Sequence, residues 1–221
     1  MERVTLLFWL WMLFFTVNVL WALGQTAVAS TFGARPTSVE LGYGPRLFTV
    51  TLGTIQWSLR PIALASSVDF NGPPPGGPPD APPENRLRRL PVHVHLAIIL
   101  VPWLFLVGVA MACLGVQEGL SQFLSGFAVP FQFSALPGRL ERFVALLQSG
   151  ELLRAWGLAS AKLAALNLLP APVLAGGAAL LLPWRNRPVP VWVAGLNFLA
   201  LAFFLPWACY TLYLLGGFVF R

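Results

Sequence analysis

The amino-acid sequence predicts an α-helical polytopic membrane protein, with about four transmembrane helices and a small membrane-associated β-hairpin region after the first. Three observations carry that expectation. Of 221 residues, 57% are hydrophobic and only 10% are charged, against roughly 25% charged in an ordinary soluble domain. The apolar residues gather in long runs, which lipid can solvate and a soluble core of this size cannot absorb. Between the first two runs lies a Gly-punctuated stretch that alternates polar and apolar residues, the period of a strand.

The first run, residues 4–29, is interrupted only by Thr5, Thr16, Asn18, Gln25 and Thr26. It is too long for a signal-peptide core and lacks a clean cleavage site, so residues 1–30 are read as a span. In residues 31–70 the alternation in Ser38-Val-Glu-Leu41, the β-branched and aromatic Arg46-Leu-Phe-Thr-Val-Thr-Leu52, the Gly53-Thr54 turn and the alternation in Ile55-Gln-Trp-Ser-Leu59 predict a small sheet of hairpins. Residues 71–90 join a Pro/Gly-rich linker, expected to be extended and mobile, to a basic segment with Arg86, Arg88 and Arg89. A second span covers 91–116. The mixed stretch 117–157 is read as an amphipathic or re-entrant loop, with Leu140 to Leu153 carrying its charges on one side. Residues 158–221 hold the third and fourth spans around Arg185-Asn-Arg-Pro188, which Trp184 and Trp192 flank as interfacial anchors would.

Net charge is +6, carried mainly by loop arginines. That suits anionic lipid head groups, and the absence of a basic stripe with interleaved aromatics excludes nucleic acid. The arginines of the first and third loops place those loops in the cytoplasm and both termini outside. Cys113 and Cys209 lie in apolar runs, which argues against a disulfide framework.

Two motifs stand out: Val39-Glu-Leu-Gly-Tyr-Gly-Pro-Arg-Leu-Phe48, continued by Leu52-Gly-Thr-Ile-Gln-Trp-Ser-Leu-Arg60, and Asn167-Leu-Leu-Pro-Ala-Pro-Val-Leu-Ala-Gly-Gly177. In order and hydropathy they resemble the site-2 protease family of intramembrane zinc metalloproteases, found in bacterial inner membranes among others. The resemblance implies a first span carrying His-Glu-x-x-His and a later span carrying Asn-x-x-Pro-x-Pro-x-x-Asp-Gly. Here the first motif falls on Trp21-Ala-Leu-Gly-Gln25, and the metal-binding aspartate falls on Ala175. The replaced family positions are therefore Trp21, Ala22, Gln25 and Ala175. The same resemblance implies that the stretch of Asn167, Pro170 and Pro172 helps hold substrate, where here it would either bind peptide or brace the loop. Separately, an extended peptide could add to the hairpin edge between Phe48 and Leu59, with Phe48 and Trp57 as contacts.

The residues present argue against zinc hydrolysis, which needs about three protein ligands, an open position for water and a nearby base. His93 and His95 are the two histidines and stand two apart, so a helix points them away from each other, although an extended stretch would put them on one face. No acid falls within an apolar run, and Lys162 is expected to snorkel to the interface. No cofactor is expected, zinc entering only if the family activity is retained. The leading reading is a non-catalytic pseudoprotease that binds or regulates membrane protein partners, with the bilayer, a membrane protein substrate or an active protease paralogue as partners. One alternative is an active metalloendopeptidase that borrows ligands from a partner subunit. Another is a structural or transport-related protein, suggested by the Pro-broken third span.

Overall fold

A computed structural model describes residues 3–72, 84–171 and 174–220 of the chain. The protein is mostly helical, with a small sheet after the first helix. Three helices are long and apolar enough to cross a membrane, over Val4–Thr31, Val92–Leu114 and Val191–Phe218. They belong to α1 (Arg3–Thr31), α2 (Val92–Leu114) and α7 (Val191–Phe220). Leu-, Phe- and Ala-rich sequence without capping residues suits such segments, whose backbone must satisfy itself internally. The chain divides into two compact units, residues 14–102 and residues 1–13 with 103–221.

In the first unit, β1 (Ser38–Tyr43), β2 (Phe48–Leu52), β3 (Ile55–Leu59) and β4 (Ile62–Asp69) form one sheet in the order β2-β3-β1-β4. The β2–β3 hairpin forms around Gly53-Thr54, as the sequence suggests. The rest departs from a set of hairpins. β1 pairs with β3 in parallel and with β4 antiparallel, so β3 sits between β2 and β1. The short 44–47 connection carries β2 past its neighbour, leaving β3 to fill the inner position. Two more short strands, β5 (Asn71–Gly72) and β6 (Glu84–Asn85), pair across the Pro/Gly-rich stretch and close its base. The expectation of an extended linker falls largely on residues 73–83, outside the described residues. After it, the turn Arg86–Arg89 is capped by Asn85, whose side chain accepts from Leu87 N. Leu87 is buried with Ala29, Ala34, Phe70, Val94 and Ile98, which fixes that turn against the end of α1 and the start of α2.

In the second unit, residues 117–157, read as an amphipathic or re-entrant stretch, are largely helical. α3 (Val116–Gly126) and α4 (Leu136–Gln148) are joined by two short 3-10 turns, and α5 (Leu152–Asn167) follows. The segment read as continuous from Leu140 to Leu153 is split, because Gly150 takes φ +82° and ends α4. α3 folds back along α2: a Cβ on Gly119 would come within 2.7 Å of Met111 Cα. The buried residues of α5 are Ala155, Gly157, Ala159, Ser160, Ala161, Ala164 and Ala165, small side chains that let α3 approach closely. Leu6, Leu10 and Leu13 of α1 pack with Val144 and Leu147 of α4. The third apolar run is not one helix either. α5 stops at Asn167, and α6 (Ala175–Leu181) resumes after the prolines. Trp184 and Trp192 meet edge to face across the turn before α7, with ring centroids 6.1 Å apart.

Candidate functional site

The positions at which the resemblance puts zinc chemistry are occupied by residues that serve packing. Ala22 is fully buried, and Trp21 and Gln25 are half-buried on α1. Gly24 faces Pro102 of α2, where an added Cβ would sit 3.5 Å from the proline Cα and Cβ. Gln25 Oε1 and Thr26 Oγ1 are buried with no hydrogen-bond partner among the described residues. On α2, His93 and His95 are helical, which removes the extended arrangement that would have put them on one face. No group of three His, Cys, Asp or Glu side chains able to hold a metal occurs among the described residues.

Asn18, one turn before Trp21, reaches furthest. Its Nδ2 donates to Phe14 O at 2.8 Å and to Ala63 O at 3.1 Å, while its Oδ1 accepts from Ser66 Oγ at 3.1 Å. One amide inside an apolar helix thereby ties strand β4 to α1. Its partners outside α1 are a strand backbone and a serine, not another helix.

The sheet has two unlike faces. Its register sets Phe48, Val50 and Leu52 opposite Leu59, Trp57 and Ile55, with Val39 and Leu41 beside Trp57 and Leu59. The other face carries Thr49 and Thr51 opposite Ser58 and Gln56, with Glu40 beside Ser58. Phe48 and Trp57 therefore share the apolar face, Phe48 63% exposed at the rim and Trp57 half-buried further in. β2 is exposed along its whole length and, among the described residues, has a strand neighbour on one side only. Gln56 N and Arg60 N donate to Thr37 O and Leu41 O on the β1 side. Ile55, Trp57 and Leu59 then bond Leu52, Val50 and Phe48, and the backbone groups of Thr49 and Thr51 point to the free edge.

Beside that edge is a charge cluster that sequence reasoning passed over. Glu40 Oε1 accepts from Arg60 Nη2 at 2.7 Å and from Arg46 Nη2 at 3.1 Å, and Arg60 Nη1 donates to Gly44 O at 2.8 Å. The Arg60 hydrogen bond, helped by Arg46 and opposed by partial burial, holds the Glu40 carboxyl below its usual range. A signal existed: Glu40 and Arg60 both sit at the polar phase of alternating stretches, where strand pairing brings them together.

The Asn167 motif lies in the other unit. Asn167 ends α5 and donates Nδ2 to Leu163 O at 2.9 Å, so it braces its own helix. Pro170 is exposed, Ala171 is buried, and Pro172 lies outside the described residues. Ala175 opens α6, and the next residue must be glycine, because a Cβ on Gly176 would overlap the carbonyls of Leu168 and Leu169. Ala175 offers no side-chain donor or acceptor. Lys162 Nζ donates to Gln122 O at 2.8 Å and Ser125 Oγ at 2.7 Å on α3.

Searched against protein-family models and against curated proteins, the sequence matches none.

Proposed function

We propose that the protein is a membrane-embedded, non-catalytic relative of the site-2 proteases that holds an extended segment of a membrane protein partner by adding it to strand β2. The observation that carries this reading is the free β2 edge: Thr49 and Thr51 offer unpaired backbone groups, with Phe48 and Val50 on one face and the Glu40–Arg46–Arg60 cluster nearby. An exposed strand edge is a template for another chain, main-chain bonds giving affinity and the flanking side chains specificity. Asn18 supports it as well, since it holds the sheet against a helix apolar enough to cross a bilayer. Trp21, Ala22, Gln25 and Ala175 supply neither ligand nor base, which favours a binding role over hydrolysis. In this reading α5 and α6 together make a fourth, broken crossing of a bacterial inner membrane, with both termini outside and the sheet at the cytoplasmic face.

The test is amide exchange with an extended peptide of alternating valine and threonine. Peptide is expected to protect the amides of Thr49 and Thr51, and Thr51→Pro, which removes an outward N–H, to abolish that protection. Unchanged exchange at both amides would refute strand addition. Zinc bound stoichiometrically to the purified protein would refute the non-catalytic half.

A further inference from the structure

Where α5 meets the hairpin of α3 and α4, Lys162 of α5 and Arg139 of α4 make a cationic pair that no acid among the described residues neutralises. α3 turns back on α2 at Gly115, with Gly119 seated on Ala110 and Met111. Ser125 then lies roughly 14 Å along α3 from its first residue, Val116, at 1.5 Å per residue. The tip between the two helices meets α7 near its middle: the Phe131 ring stacks on Phe203 at 5.2 Å, and Phe133 meets the same ring at 5.9 Å. Both measures put the tip far from either end of the apolar helices. At that level Lys162 donates to Gln122 O and Ser125 Oγ, and Arg139 donates to Gln132 Oε1. Lys162 and Arg139 lie within electrostatic reach of each other. Their hydrogen-bond acceptors among the described residues are all neutral. Glu118 and Glu151 pair with Arg154, and Glu141, the one acid on α4, makes no ion pair among the described residues. The end of the α3 dipole offsets only about half a charge of the two.

Gln132, Phe133 and Ser134 at the tip are exposed. Irregular polar backbone at membrane depth is tolerated where protein or water covers it, not against lipid tails. Charged groups at that depth pair with one another or mark a functional contact. We propose that the hairpin tip receives a membrane-spanning helix of a partner protein, and that an acidic residue of that helix pairs with Lys162 and Arg139. The distance of the tip from the α2–α3 turn favours a helix carboxylate over a lipid phosphate, which would lie at the head-group level. This inference does not depend on strand addition at β2.

The full chain is reconstituted in phosphatidylcholine vesicles with single-span Leu/Ala helices carrying one central Glu or Gln, and association is read by energy transfer. The Glu helix should associate about three- to tenfold better than the Gln helix, the range one interhelical polar contact gives in lipid. Lys162→Met should remove the preference, Lys162→Arg should keep it, and Arg139→Gln, which leaves α5 untouched, should weaken it. Equal association of the two helices, or a preference that survives Lys162→Met, would overturn the proposal. So would displacement of the Glu helix by added phosphatidylglycerol that wild type retains and Lys162→Met does not, which would assign the site to a lipid phosphate.

Discussion

Single side chains decide how the sheet is held. Asn18 links α1 to β4 through Ala63 O and Ser66 Oγ, and polar contacts of this kind are worth about 0.6 kcal/mol each in membranes. Asn18→Leu is expected to cost roughly 1–2 kcal/mol, since it also leaves Ser66 without that acceptor. Amide exchange would show it as lost protection along β4 with α2 unchanged, and equal protection in both proteins would refute the anchoring role. Glu40 gives a pH dependence of definite sign. Its carboxyl is held below the ordinary value of 4.5, chiefly by Arg60. The folded state therefore favours the carboxylate, and the stability it contributes is present above pH 4.5. That contribution is lost as pH falls through the lowered folded value. Protection of β1 amides should drop in that acid range in wild type and show no such step in Glu40→Gln. The sequence made Asn18 visible as a polar interruption in an apolar run. Its partner was not visible, because Ser66 is 48 residues away and only the strand register brings it near.

At the scale of elements, local pattern and long-range pairing separate. The apolar runs at 4–29 and 91–116 became α1 and α2 within a few residues, since length and hydropathy alone specify a membrane helix. The β2–β3 hairpin was legible from its Gly-Thr turn. The parallel β1–β3 pairing was not, because it follows from which strand fills the inner position rather than from any local motif. Residues 117–157 were harder still. Charges at Arg142, Glu151 and Arg154 hide the start of α5, and the small-residue face that lets α3 pack is spread over both helices. That packing is testable at Gly119. A side chain there must push α3 off Met111 backbone, so Gly119→Val is expected to destabilise by about 1–3 kcal/mol. Gly138→Ala, with nothing within 4 Å of the added methyl, should shift the unfolding midpoint far less. Equal shifts would mean that α3 does not lie on α2 as described.

For the whole molecule, composition alone implied lipid as the solvent, and three helices meet that expectation. The proposed topology adds a fourth crossing made of two short helices, which composition alone does not give. α5 and α6 each fall short of a bilayer, at 16 and 7 residues, where a straight span needs about 20. A crossing that used both would have the length, provided other protein covers its freed backbone. The question reduces to which membrane face carries the turn before α7. In the proposed topology α3 returns along α2 and α4 runs back to Gly150, which would put cysteines at Gln117 and Gly150 on one face. If α5 and α6 cross, Asn186→Cys faces the opposite side, and α7 returns the chain to the first. Single-cysteine variants in a background with Cys113 and Cys209 replaced by alanine, labelled with a membrane-impermeant maleimide from each side, are expected to give that alternation. Labelling of Asn186→Cys from the same side as Gln117→Cys would make α5 and α6 a second re-entrant element. The C-terminus would then lie on the other side, and the four-crossing topology implied by the resemblance would be lost.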